Sequence, residues 1–440
     1  MNEHEPWLLA ELERWESDGL VSVEQAGRLR TRYSPAAGRS DWGILAFAGA
    51  GAVVLGLGVI LLFAFNWDAI PKWGKLGLVF GAVTAAHVLG LNLQRRLDWR
   101  RGLGAAVSFL GTMFFGAGIW LVAQVYHFDE HYTTGFLIWA IAALAMAWAL
   151  DSMLHGLLAT VLTAIWVGGD VFSFKDPQFW AWPALAVAIL PLAWRLRSAA
   201  LLAVALSALQ FLLLVNLYQL GTSWHMLTAS LAWGAFLIAA ARAMAAPRVG
   251  FAAGARVGNF FGFLTVVFCT YFLSFPRSWA YGLGGGGYYP QSENEFAWLY
   301  TWVLFALAIA AWIGVIITAV RQRFRGMSMD AWLVPVILGQ TYGLVWGHVS
   351  LLGLKGVYPF NLLLLGLAVA WTWQGCRDRR RKPVALGLLI VAALVIARYF
   401  DLFLNLASRG TAFAILGVVL VVLGLWFRRR QARLDPEAIS

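Results

Sequence analysis

The fold follows first from residues 134–173, which read TGFLIWAIAALAMAWALDSMLHGLLATVLTAIWVGGDVFS. The stretch is almost entirely apolar, and one membrane-crossing helix needs only about 20 such residues. It is therefore too long for a single span. The polar pair Asp151-Ser152 near its middle predicts a turn between two helices.

The rest of the chain has the same character. Of its 440 residues, 61% are hydrophobic and 12% are charged, whereas an ordinary soluble domain carries about 25% charged residues. A soluble fold this apolar could not cover its surface with polar groups, and a bilayer removes that requirement. The composition predicts an all-α, polytopic transmembrane helical bundle that contacts the lipid bilayer directly.

Apolar segments of spanning length recur from end to end, and we expect about fourteen transmembrane helices. The predicted spans are 43–65, 74–93, 103–125, 134–150, 155–173, 179–194, 198–216, 224–245, 257–275, 296–320, 331–351, 357–374, 383–405 and 409–427.

Basic residues set the orientation. If both termini are cytoplasmic, most of the 33 lysines and arginines fall in cytoplasmic segments, as the positive-inside rule requires. Those left on the outer side are Lys72, Lys75, Lys175, Arg277, Lys355, Arg398 and Arg409. Because the net charge of +11 is scattered in short clusters between apolar runs, we exclude nucleic acid as a partner.

The chain begins with a short polar unit. Asp18-Gly19 marks a turn, and Ser22 followed by Gln25 is a capping box that opens a second helix. A unit this small does not fold alone, so we expect it to pack on the membrane part or on a protein partner. The predicted domains are a cytoplasmic helical hairpin, the transmembrane domain and a cytoplasmic tail, at residues 1–40, 41–430 and 431–440.

The beginning of the chain resembles a known family. Residues 12–25 (LERWESDGLVSVEQ) lead into a glycine-rich first span that ends with residues 63–68 (FAFNWD). These motifs resemble the bacterial predicted-membrane-protein family catalogued as domain of unknown function 2157. Residues 398–403 (RYFDLF) resemble a motif of related multi-span proteins. The resemblance implies a multi-pass protein of the bacterial inner membrane and assigns no activity.

Ionisable groups near a bilayer are costly and are functional candidates by default. In the predicted topology most of them lie towards the outer side. The candidates for an outward-facing binding site are Asn66, Asp68, Asp129, Glu130, Asp170, His348, Arg398 and Asp401.

Each candidate has a structural explanation as well. Asn66 and Asp68 fit a helix-ending turn at the interface. Arg398 and Asp401 share a helix face and fit an internal ion pair. The segment from His127 to His131 offers two histidines at helical spacing, but it lacks the His-Glu-x-x-His order and favours a solvated turn. We therefore expect no metal site, and no cofactor motif is present.

One predicted helix carries small residues at every fourth position, Gly104, Ser108, Thr112 and Gly116. This pattern is typical of a helix that packs closely against its neighbours in a membrane.

Three functions remain open. A transporter- or flippase-like protein would use the outer polar residues to bind an unknown substrate. A scaffold would act through the N-terminal hairpin. A membrane-embedded transferase would use Asp68, Asp129 and Glu130 on a lipid-linked substrate.

Overall fold

The structure, a computed structural model, describes most of the chain between residues 11 and 402. The described residues are 11–12, 14–33, 70–96, 101–126, 131–219, 223–246, 250–274, 295–321, 329–347, 358–402, 411, 414–415, 417–419, 421–422 and 425–426. All regular secondary structure among them is helical. The chain divides into two compact units, Met1–Leu78 and Val79–Ser440.

The named helices are numbered in chain order. They are α1 (Val23–Tyr33), α2 (Lys72–Arg96), α3 (Arg101–Tyr126), α4 (Thr133–Ala149), α5 (Met153–Gly169), α6 (Ala181–Arg195), α7 (Ala199–Gln219), α8 (Ser223–Ala245), α9 (Ala252–Leu273), α10 (Glu295–Arg321), α11 (Met329–Gly347), α12 (Tyr358–Arg377) and α13 (Arg381–Leu402).

Every span predicted between residues 74 and 405 coincides with one of these helices. Within the described residues, 7 helices are long and apolar enough to cross a membrane, and α4 and α6 are shorter apolar helices. The predicted span 43–65 lies outside the described residues, and 409–427 is described only in part. The number of about fourteen spans, the cytoplasmic termini and the domain bounds stay predictions.

The N-terminal unit contains the predicted hairpin turn and cap. Gly19 adopts a φ of 73° at the turn, a conformation that glycine reaches at little cost. The amide of Gln25 donates to Ser22 Oγ at 3.2 Å, and the amide of Ser22 donates to Gln25 Oε1 at 3.0 Å. The predicted capping box is therefore confirmed.

The apolar stretch 134–173 forms two helices, as its length predicts. α4 ends at Ala149 and α5 begins at Met153. Asp151 lies between them with a φ of 47°, and its carboxylate accepts a hydrogen bond from Arg195 at 2.8 Å. The turn therefore contains no glycine, and its ion pair with Arg195 connects it to the end of α6.

Charged residues take the left-handed conformation at several helix ends. The described non-glycine residues with positive φ are Asp151, Lys175, Arg197 and Arg379. This conformation costs a non-glycine residue roughly 1–2 kcal/mol. Each of them follows a helix and reverses the chain towards the next one.

The small-residue face of α3 is buried, as predicted. Gly104, Ser108, Thr112 and Gly116 are all buried. Glycine is required where α2 meets this face, because a Cβ on Gly90 would lie 2.3 Å from Ser108 Oγ and 2.9 Å from Gly104 O. Close packing of two main chains is therefore built into the α2–α3 pair.

The centre of the larger unit is formed by α7 and α8. Most residues of the α8 segment His225–Ala245 are buried. Tryptophan side chains attach neighbouring helices to both α7 and α8: Trp312 Nε1 of α10 donates to Ala235 O of α8 at 2.9 Å, and Trp182 Nε1 of α6 donates to Leu209 O of α7 at 3.0 Å. Elsewhere the helices expose large apolar side chains, such as Leu389 at 63%, which suits a surface in contact with lipid.

Candidate functional site

The last turn of α5 widens into a π-helix, Asp170–Phe174. Lys175 then adopts a φ of 59° and ends the helix. The amide of Asp176 donates to the carbonyl oxygen of Asp170 at 3.2 Å. The chain thereby folds back, and it brings two carboxylates that are far apart in a straight helix onto the same side. Single π-turns of this kind are frequent at functional sites.

Gln178 holds the two carboxylates together. Its Nε2 donates to Asp170 Oδ2 at 2.9 Å and to Asp176 Oδ2 at 2.8 Å. Its Oε1 accepts a hydrogen bond from Trp180 Nε1 at 3.1 Å. Because an indole nitrogen can only donate, this contact fixes which end of the amide faces the acids.

The connection before α4 adds a histidine. The ring of His131 stacks on Phe174, with centroids 4.1 Å apart and planes at 20°. Beside it, the Tyr132 and Ser173 hydroxyls form a hydrogen bond of 2.9 Å. A nitrogen of His131 and carboxylate oxygens of Asp170 and Asp176 all lie within 4.8 Å of one another. We call His131, Asp170, Asp176 and Gln178 the polar end cluster.

One member of this cluster is buried and only partly satisfied. Asp170 is 2% exposed, and its Oδ1 has no hydrogen-bond partner within the part of the chain that the structure describes. A buried carboxylate oxygen without a partner is costly and calls for an explanation. A nearby hydroxyl does not fill the gap, because Thr133 Oγ1 is also buried and without a described partner.

A cavity opens next to the polar end cluster. It has a volume of about 950 Å³ and is lined by α2, α3 and α4. Most of its wall is aliphatic or aromatic, and its polar lining is supplied by Gln124, His131, Tyr132 and Thr134. It is open at the side, since its lining residues Phe80 and Ile138 are 60% and 47% exposed. We call it the lateral groove.

A second polar group lies between α2, α3 and α5. Thr112 Oγ1 lies 3.1 Å from His155 Nε2 and 3.4 Å from His87 Nε2. His155 Nδ1 is hydrogen-bonded to Ser152 Oγ at 2.7 Å, next to the α4–α5 turn. His87 Nδ1 donates to Val83 O at 2.8 Å. These residues form a connected polar chain from the middle of α2 to that turn.

Arg398 belongs to a different set of residues. Its Nη2 donates to Ser274 Oγ at 2.8 Å and to the carbonyl oxygen of the same residue. Asn361 Nδ2 donates to Ser274 O at 3.3 Å. Arg398 therefore links α13 to the end of α9, where α12 is also attached. This is a bridging role between helices.

Of the predicted site residues, the structure describes the side chains of Asp170 and Arg398 only. Asp170 belongs to the polar end cluster, whereas Arg398 contacts Ser274, which is not part of that cluster. Asp401 lies in α13, but its side chain is outside the described residues. Fully outside them are Asn66, Asp68, Asp129, Glu130 and His348. Their convergence on one site stays a prediction.

Sequence reasoning missed three members of the polar end cluster, which are His131, Asp176 and Gln178. The sequence predicts a solvated turn at His131, and it gives Asp176 and Gln178, in the connection after α5, no pattern that singles them out. One signal in the sequence could have indicated them. The connections before α4 and after α5 both lie on the outer side of the predicted topology, so their polar residues can come together.

These features define the class: a membrane protein with several apolar helices, whose described regular structure is all helical and in which polar side chains gather where α4 begins and α5 ends. In residues 13–156 the chain matches the family described as "Predicted membrane protein (DUF2157)". The match covers the N-terminal third, so the resemblance drawn from residues 12–25 and 63–68 is confirmed. No curated protein and no solved structure matches the chain. The resemblance of residues 398–403 stays a prediction.

Proposed function

We propose that this membrane protein is transporter-like or flippase-like and binds an amphiphilic substrate, such as a lipid, at an outward-facing polar site. The observation that carries the proposal is the lateral groove, whose wall is apolar and whose polar lining includes His131 of the polar end cluster.

The dimensions of the groove suit one hydrocarbon chain with a polar head. Ligand sites in proteins usually measure about 300–1,000 Å³, and the groove has about 950 Å³. Glycines deepen it. A Cβ on Gly118 would lie 2.5 Å from Val79 Cγ1, and one on Gly135 would lie 3.2 Å from Ile119. Larger residues there would force the three helices apart or narrow the space.

The orientation of the groove rests on the distribution of charge. The polar end cluster lies where α4 begins and α5 ends, whereas Asp151 and Arg195 pair at the opposite ends of these helices. Arg195 belongs to a basic cluster that the positive-inside rule assigns to the cytoplasm. In that topology the polar residues of the groove face outwards, as expected for a protein that receives or releases a lipid head at the outer leaflet.

Lipid movement tests the proposal directly. The full-length protein is reconstituted into vesicles that contain fluorescently labelled phosphatidylglycerol, and dithionite quenching reports the lipid that reaches the outer leaflet. We expect faster loss of protected fluorescence than in protein-free vesicles. Replacing Ile138 by tryptophan fills the groove and should reduce this rate.

The matched control is Val187→Trp on α6, because Val187 is 75% exposed and does not line the groove. It adds the same side chain to an exposed position that does not line the groove. The flippase-like function is rejected if vesicles with the wild-type protein keep as much dithionite-protected fluorescence as protein-free vesicles. It is also rejected if the two tryptophan variants lose this fluorescence at the same rate.

A scaffold function is the second candidate, and it is favoured by the N-terminal unit. Leu20 and Val23 are 72% and 73% exposed at the turn of the hairpin and the start of α1. Apolar side chains exposed side by side suit contact with a protein partner. Cells that carry the protein without residues 1–35 should then show the same phenotype as cells without the protein. Cells that carry Ile138→Trp should show the wild-type phenotype.

The transferase function depends on Asp68, Asp129 and Glu130, which lie outside the described residues. It stays a prediction from the sequence.

A further inference from the structure

We propose that His131, Asp170 and Asp176 bind one divalent cation of the transition-metal type, with Zn²⁺ or Mn²⁺ as the ions that fit the ligands. The inference departs from the sequence-based expectation of no metal site, and it does not depend on lipid transport.

The spacing of the donor atoms carries the inference. All three lie within 4.8 Å of one another, yet His131 makes no hydrogen bond or ion pair with either acid among the described contacts. A tetrahedral ion with bonds of about 2.0–2.2 Å places its ligand atoms roughly 3.4 Å apart. Because the three donor atoms are no more than 4.8 Å apart, shortening each donor–donor distance by at most roughly 1.4 Å would let them share one ion.

The state of Asp170 is the independent second observation. It is 2% exposed, and its Oδ1 has no partner among the described residues, although its Oδ2 is held by Gln178. Asp176 is held in the same way through one oxygen. Gln178 contacts only one oxygen of each carboxylate, and a cation bound at Asp170 Oδ1 would remove the cost of an unsatisfied buried acceptor.

The contacts around the ligands suit a metal site. A ligating side chain is usually oriented by an outer partner. Gln178 orients both acids, and Trp180 orients Gln178. The stack on Phe174 fixes the plane of the His131 ring. The site is thus already assembled, and little side-chain freedom is lost when the ion binds.

The ligand chemistry selects the ion. Two carboxylates and one neutral imidazole balance a double positive charge. The imidazole nitrogen favours Zn²⁺ over Mg²⁺ and Ca²⁺, which prefer oxygen ligands, and the two carboxylates also suit Mn²⁺. Three protein ligands leave at least one position open for water or for an anionic group. Because His131 also lines the lateral groove, an ion bound to it would lie beside the groove.

The test is a binding measurement on the full-length protein in lipid nanodiscs after chelator treatment. Zn²⁺ is added, unbound ion is removed, and the metal retained per chain is measured by mass spectrometry. Calorimetry with Zn²⁺, Mn²⁺ and Ca²⁺ gives the affinities. We expect one Zn²⁺ per chain and much weaker binding of Ca²⁺. His131→Gln and Asp176→Asn should each weaken Zn²⁺ binding at least about tenfold.

Asp151→Asn is the matched control, because it makes the same chemical change in another exposed aspartate at the opposite end of α4. It should bind Zn²⁺ like the wild type. Both ligand variants alter exposed residues, so unfolding is not expected and is checked by thermal melting. The proposal is overturned if the wild type retains no stoichiometric Zn²⁺, or if the ligand variants bind it as well as Asp151→Asn does. Neither result bears on the lipid assay, which is measured separately.

Discussion

Replacing Gly90 by alanine should separate α2 from α3. The added Cβ would lie 2.3 Å from Ser108 Oγ, 2.8 Å from Ser108 N and 2.9 Å from Gly104 O. Ordinary contacts between carbon and oxygen are about 3.3–3.6 Å. The hydroxyl of Ser108 can rotate away, but the two main-chain atoms cannot, so the helices must move apart by roughly half an ångström. Overpacking of this kind costs about 1–3 kcal/mol.

Gly81 on the same helix gives the control, because a Cβ there would have no atom within 4 Å. Both alanines gain about 0.5–1 kcal/mol from helix propensity. The difference between the two variants therefore isolates the packing cost, and we expect Gly90→Ala to be less stable than Gly81→Ala by about 1–3 kcal/mol.

The assay for this pair is unfolding in mixed micelles with an increasing fraction of dodecyl sulfate, followed by circular dichroism. Equal free energies of unfolding for the two variants would refute the close contact between the α2 and α3 main chains.

Three further changes test individual hydrogen bonds. Thr112→Val removes the hydroxyl that contacts the buried His155, and it should lower the free energy of unfolding in the same titration by about 1–2 kcal/mol; an unchanged midpoint would contradict this. Trp312→Phe removes an indole donor from a main-chain carbonyl of α8, for an expected loss of about 1 kcal/mol. Ser22→Ala removes the cap that Gln25 completes, so amide exchange in α1 should accelerate about fivefold, as measured by mass spectrometry. Exchange at the wild-type rate would argue against the capping box.

The positions of the helices could be predicted because a membrane span must satisfy its own main chain, which ties span length to hydropathy. The turn at Asp151 shows what span length and hydropathy can predict and what they cannot. Span length alone required a break near it, although no glycine marks the place. The left-handed conformation of Asp151 and its ion pair with Arg195 could not be predicted, since both depend on the packing of α6 against the turn.

The polar end cluster could be predicted only in part. The sequence predicts Asp170 as a candidate site residue, because an acid at the end of an apolar span is costly. Its association with His131 and Asp176 needs a π-turn and a ring stack on Phe174, which leave no periodic signal in a sequence. Arg398 gives a similar lesson. Spacing within its own helix predicts Asp401 as a partner, and that pairing stays a prediction because the Asp401 side chain lies outside the described residues. The contact with Ser274 at the end of α9 could not be predicted, since it depends on how α9 packs against α13.

Two requirements, one on backbone conformation and one on charge, act on the charged residues that end helices. Arg197 and Arg379 hold left-handed φ values of 49° and 53°, so glycine at either position would relieve strain of roughly 1–2 kcal/mol. In the predicted topology both arginines also belong to cytoplasmic basic clusters, whose charge would guide insertion of the chain into the membrane. In that topology the backbone conformation favours glycine at these positions, while membrane insertion favours arginine. We therefore expect that replacing either arginine by glycine would stabilise the turn and weaken the signal that orients the adjacent spans.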